Sequence, residues 1–193
     1  MVEVRSGSSS AFEEARQANL EEKDEAVRQT ALGYGDPGED NGVIITFGNL
    51  GKGVGGSLVA DISYDSAAGK FLFHATATFS TDLSGDELRA AAGHEGQHLL
   101  DAQSFFATLD HQTGSFDSSK NLTIEQTERN AYLISHRILS ITGSNIKYAA
   151  RGGPVKLGTG VVQKLAERRI EDILKGPHYA HKLTERQIAR YAP

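Results

Sequence analysis

His94, Glu95 and His98, in the stretch Gly93-His94-Glu95-Gly96-Gln97-His98, are residue types that do chemistry, and their spacing indicates which chemistry. On an α-helix, residues four apart lie one turn above each other on one face, so the two imidazoles can converge on a single metal ion. Glu95 then stands beside them. A catalytic zinc ion takes three protein ligands and keeps a position for water, and a neighbouring carboxylate can accept the proton of that water as it attacks a carbonyl. The spacing therefore assigns His94 and His98 as metal ligands and Glu95 as general base. The plain alternative is a pair of histidines on the solvated face of an ordinary helix.

A third ligand is required. Downstream, Glu125, Glu128, Tyr132 and His136 fall close to one face of a second helical stretch, too polar a stripe to be buried without a partner. Either glutamate can serve as the ligand, and Tyr132 and His136 are the nearest candidates to stabilise an oxyanion. A solvated acidic face is the competing reading. His111, Tyr148 and Arg151 are further donors that folding could bring near.

The elements that must position these groups follow from periodicity. The apolar stripe Leu88, Ala91, Ala92, Leu99, Ala102, Phe105 and Phe106 places the first motif in a helix over Asp86 to Leu109, with Ser84 and Glu87 spaced as a capping box. The second helix is expected over Thr123 to Thr142, capped by Asn121 or Thr123 and closed by Gly143. Upstream, Val43 to Phe47 reads as a strand. Leu58 to Tyr64 and Lys70 to Ser80 alternate as a β-hairpin, with Phe71, Phe73, Ala75, Ala77 and Phe79 on one face and His74, Thr76 and Thr78 on the other. Ala11 to Leu32 reads as one polar, lightly packed helix. Val161 to Leu174 forms another helix, and Thr184 to Tyr191 a short last one. Asp110 to Lys120 and Ala149 to Gly160 are irregular. Gly48 to Gly56 is a Gly-rich loop that lacks the pattern of a phosphate-binding loop. His178-Tyr179-Ala180-His181, after Gly176-Pro177, reads as a turn rather than a second metal clamp. Strands followed by helices imply an α+β fold, with residues 1–10 a flexible lead-in and 11–193 a single domain.

Composition narrows the partners. The net charge of −5 argues against nucleic acid, because phosphate binding needs a basic footprint. No apolar run is long enough to cross a membrane, and the N-terminus has no signal-peptide core, so a soluble chain with no membrane partner is expected. With no cysteine, a zinc ion must be held by histidine, carboxylate and water.

The two motifs together resemble the gluzincin branch of zinc peptidases. In that branch the second-helix pattern is E-x-x-A, and Glu128-Arg129-Asn130-Ala131 is its match here, so the resemblance favours Glu128 over Glu125. It implies a zincin-like fold: a small antiparallel or mixed sheet whose hairpin packs on the motif helix, a second ligand-bearing helix and further C-terminal helices. It also implies Zn2+, a protein or peptide substrate, and an edge strand that pairs with extended substrate. Where many such families carry Asp after that Ala, this chain has Tyr132, so the carboxylate that would orient a ligand histidine is missing from that position. The same strings resemble, more loosely, metallopeptidase-like domains at the C-terminal ends of bacterial polymorphic toxins, which would suit delivery as part of a longer protein. The alternatives are a zinc-binding interaction module whose open position is blocked by Tyr132 or Glu125, and a hydrolase of a non-peptide amide.

Overall fold

A computed structural model of the chain describes residues 3–5, 9–51, 53–143, 162–177, 179 and 181–188. It is α+β, as the order of elements implies. Strand β1 (Glu3–Arg5) precedes helices α1 (Ser9–Leu20) and α2 (Glu25–Leu32). Strands β2 (Val43–Gly48), β3 (Gly56–Asp65) and β4 (Lys70–Ser80) follow, and then α3 (Gly85–Phe106), α4 (Ile124–Thr142) and α5 (Val162–Leu174). The mixed sheet runs β1-β2-β4-β3, parallel except where β3 folds back on β4, so β3 is an edge strand. Glu3–Arg5 pairs with β2, and Ser9 opens α1.

Helix α3 is central because it is apolar on two sides. Leu88, Ala91, Ala92, Leu99, Ala102 and Phe105 join Phe12 and Ala15 of α1 against the sheet residues Val43, Ile45, Ala77 and Phe79. On its other side, Ala90 packs with Val27 of α2 and Ile134, Ile138 and Leu139 of α4. Two glycines of the motif permit this closeness. A Cβ at Gly93 would lie 2.2 Å from Ile138 Cδ1, and one at Gly96 would lie 2.5 Å from the Thr30 carbonyl oxygen of α2. An isoleucine methyl can swing aside, whereas a helix carbonyl cannot. Helix propensity alone favours Gly96→Ala by about 1 kcal/mol. The overlap with α2 reverses that sign, and a net loss of about 1–2 kcal/mol is expected in denaturant unfolding; a gain would show that α2 yields freely.

Three local expectations change. The polar stretch after Ala11 is two helices, because Asp24 caps α2, accepting from the Ala26 and Val27 amides. It is also firmly packed: Phe12 is fully buried against Tyr34 and Phe79, and buried Asn19 is bonded to the Arg89 carbonyl. Ser84 precedes α3 without a side-chain capping bond, next to Gly85 at φ +50°. By contrast, Thr123 and Gln126 form a true capping box on α4, and Gly143 closes it at φ +67°. Residues 183–188 do not form the expected short helix. Their carbonyls at Leu183 and Glu185 accept the Glu125 and Ile124 amides, satisfying donors that the first turn of α4 would otherwise leave open. The expectations for Tyr148, Ala149 to Gly160, His178 and residues 189–191 lie outside the described residues.

Candidate metal centre

The side-by-side packing of α3 and α4 brings three side chains together. His94 Nε2 and His98 Nε2 are 3.3 Å apart, Glu128 Oε2 is 3.5 Å from His94 Nε2, and Glu128 Oε1 is 3.7 Å from His98 Nε2. All three offered ligand atoms lie within 4.8 Å of one another. Two atoms each about 2.0–2.1 Å from a tetrahedral ion are about 3.3 Å apart, so the triangle has the size of a metal-binding face. Glu128 Oε2 is buried and lacks a hydrogen-bond partner. A buried acceptor left in that state costs about 1–3 kcal/mol. Three converging acceptors with one of them unsatisfied fit a cation, so His94, His98 and Glu128 can hold a metal ion.

Glu125, the alternative ligand, is turned aside to Arg129, with contacts of 2.8 and 3.1 Å. Asn130, inside the Glu128-x-x-Ala131 turn, bonds Asp101 of α3 at 3.1 Å, and Gln97 holds the other Asp101 oxygen at 2.8 Å. These contacts fix the register of the two helices at the level of the triad.

The role left open by Tyr132 is taken one turn further along α4. Ser135 Oγ is 3.2 Å from His94 Nδ1 and donates to the Ala131 carbonyl at 3.3 Å. The hydroxyl is therefore the acceptor from Nδ1–H, which in the neutral ring leaves the Nε2 lone pair facing His98 and Glu128. Tyr132 packs its ring edge-on against His94, with centroids 4.7 Å apart, and its hydroxyl is 3.2 Å from that of Tyr179.

A cavity of about 770 Å3 opens over the triad. Glu95, Tyr132 and Tyr179 line it with the triad, as do Leu50 and residues 53–58. Glu95 is buried against β3, where a Cβ at Gly56 would fall 2.6 Å from its Oε1. Burial, with the Glu128 charge adding to it and that of His94 opposing it, pushes the Glu95 carboxyl up to about 7, where it can take or release a proton near neutrality.

Tyr179 escaped the sequence reading. Its segment has no periodicity to place it, and it reaches Glu128 only because residues 181–188 fold back across the start of α4. His136 is buried in α4 and does not line the cavity; His111 is exposed in its loop, and His74, Thr76 and Thr78 lie elsewhere on the sheet.

The histidines differ in their protons. Burial, with the His94 charge beside it, drives His98 down to about 3. Burial also pushes His94 down, but the Glu128 and Glu95 carboxylates outweigh it and raise His94 above the usual 6.5. Metal and proton compete for His94, so affinity is full above its pKa and falls as pH drops through it. Measured on Glu95→Gln, which removes that carboxyl's titration together with part of what raises His94, log Kd for the metal should change by about one unit per pH unit below the His94 pKa. A slope of two would mean that both imidazoles titrate in that range.

No family model, curated protein or solved structure matches the chain. Among the described residues no helix is long and apolar enough to cross a membrane.

Proposed function

We propose that the chain is a zinc-dependent peptidase in which His94, His98 and Glu128 hold the ion and Glu95 is the general base. The observation that carries this reading is the convergence of His94, His98 and Glu128, their ligand atoms within 4.8 Å of one another and Glu128 Oε2 3.5 Å from His94 Nε2, with Glu95 in the same cavity. The donor set of two imidazoles and one carboxylate, without thiolate, is that of catalytic zinc sites. Zinc bound there would lower the pKa of a water molecule and polarise a carbonyl.

The chain's own groups supply the rest. Glu95, close to neutrality, takes the proton of the attacking water and passes it to the departing amine. The Tyr132 and Tyr179 hydroxyls on the cavity wall are O–H donors for the charge that develops on the carbonyl oxygen. Ser135 keeps the His94 ring in one tautomer. The edge strand β3, whose residues Gly56, Ser57 and Leu58 border the cavity, suits an extended peptide that adds as a further strand, which favours a peptide over a small amide. Engagement of Glu125 with Arg129 and of Tyr132 with Tyr179 speaks against either side chain blocking the ion, as a purely binding module would require. From the looser resemblance to toxin-borne domains we further propose an effector role, with delivery by a longer protein.

The test is digestion of a mixed peptide library by zinc-loaded protein, with fragments read by mass spectrometry. Cleavage should disappear on chelation and return with zinc. A fully metal-loaded protein that cleaves nothing, or cleavage indifferent to chelation, would rule the reading out.

A further inference from the structure

The groups lining the cavity carry an uneven set of charges. A divalent ion at the triad offsets the charges of Glu95 and Glu128, and the formal charge left over among the described lining residues belongs to Lys182. Lys182 is half-buried and, among the described residues, makes no ion pair with a carboxylate. Its ammonium lies 5.6 Å from the centre of the Tyr179 ring, close enough for a cation–π contact that steadies it. A turn bond from the Lys182 amide to the Tyr179 carbonyl, 2.9 Å, holds the two residues together. Tyr179 in turn lies against Glu128 and meets the Tyr132 hydroxyl at 3.2 Å. The cavity lining also includes the apolar side chains Leu50, Val54 and Leu58.

We propose that Lys182 is a specificity residue that binds a substrate carboxylate close to the scissile bond, a role that rests on the peptidase reading. A partly desolvated ammonium with no acid of its own gains most from a charge-assisted hydrogen bond to an incoming carboxylate. Because Lys182 lines the same cavity as the triad and lies beside Tyr179, a carboxylate bound there would belong to the stretch of substrate seated in that cavity. Two sources present this chemistry: an Asp or Glu side chain within the peptide, and the free carboxylate at the peptide's C-terminus.

The test is peptide binding to the zinc-loaded Glu95→Gln form, measured by titration calorimetry without turnover. One pair of peptides differs as Asp against Asn beside the cleaved bond, and a second differs as free acid against C-terminal amide. The carboxylate member of one pair should bind about tenfold more tightly, the usual scale of a charge-assisted contact. The first pair identifies a side chain and the second a terminal carboxylate. Lys182→Met should bring that ratio to about one, and Lys182→Glu should invert it, with zinc content and circular dichroism unchanged in at least one variant. Equal affinities within both pairs, or a preference that survives Lys182→Met, would overturn the assignment while leaving the peptidase reading intact. Loss of the peptidase reading shows differently, as a metal-loaded parent protein that cleaves no peptide.

Discussion

Glu95→Gln is expected to keep the metal and to lower peptide hydrolysis by about 10²- to 10⁴-fold, the range over which a positioned general base acts. The amide is close to isosteric, and the space is tight: the side chain lies directly over Gly56, with its carboxylate oxygen 2.6 Å from where a Cβ would be. Glutamine fills the same slot and cannot accept the proton. The same substitution should stabilise the metal-free protein at alkaline pH. Folding raises the Glu95 carboxyl from 4.5 to about 7, so the folded state holds that proton more tightly than the unfolded chain. Metal-free parent therefore loses stability as pH rises from about 4.5 through 7, by about 3 kcal/mol in all, and Gln escapes that loss. Activity assays with zinc and denaturant melts without it should thus move in opposite directions. Hydrolysis within a few-fold of the parent would remove Glu95 from the reaction.

Chelation has the second large expected effect. An ion bound only by the folded protein adds about 4 kcal/mol when its free concentration is a thousand times Kd. For a chain of 193 residues this corresponds to a fall in Tm on the order of 10 °C when the ion is removed. Glu128→Ala should show the same low Tm with and without zinc. Measured against metal-free parent it should cost less than removal of the ion does, because the loss of the contacts to His94 and His98 is offset by deletion of a buried oxygen that makes no hydrogen bond. Scanning calorimetry on both proteins, with and without zinc, decides this. A parent Tm indifferent to zinc would mean that the three side chains do not tie α3 to α4 through an ion.

How far the sequence carried depended on the range of the forces involved. His94 and His98 were legible because helical spacing is a local property, and Glu128 because its pattern sits in a helix whose caps, Thr123 and Gly143, are equally local. The hairpin was legible for the same reason, its alternation and the turn at Gly69 both lying within neighbouring residues. What was missed is tertiary. The burial of α1 depends on Phe12 meeting Tyr34 and Phe79, which are far apart in the chain, and on Asn19 finding a carbonyl on α3. Ser135 could be found only once α4 had been laid against α3, since nothing about an interior helix serine announces a histidine forty-one residues earlier. Residues 184–188 have composition compatible with a helix, yet the unmet amides of Ile124 and Glu125 compete for their carbonyls and win.

The return of residues 181–188 across the start of α4 also bears on the order of events during synthesis. Gln187 Nε2 bonds the His98 carbonyl at 2.7 Å, Asn121 exchanges two bonds with Ile188, and Ile188 enters the main core. Both ligand-bearing helices leave the ribosome well before this segment, so a growing chain can bring the three ligands together while one wall of the cavity, with Tyr179 and Lys182, is still missing. A nascent chain at that stage can bring the three ligands to an ion before Tyr179 and Lys182 are in place, so the site is complete only after this segment has left the ribosome.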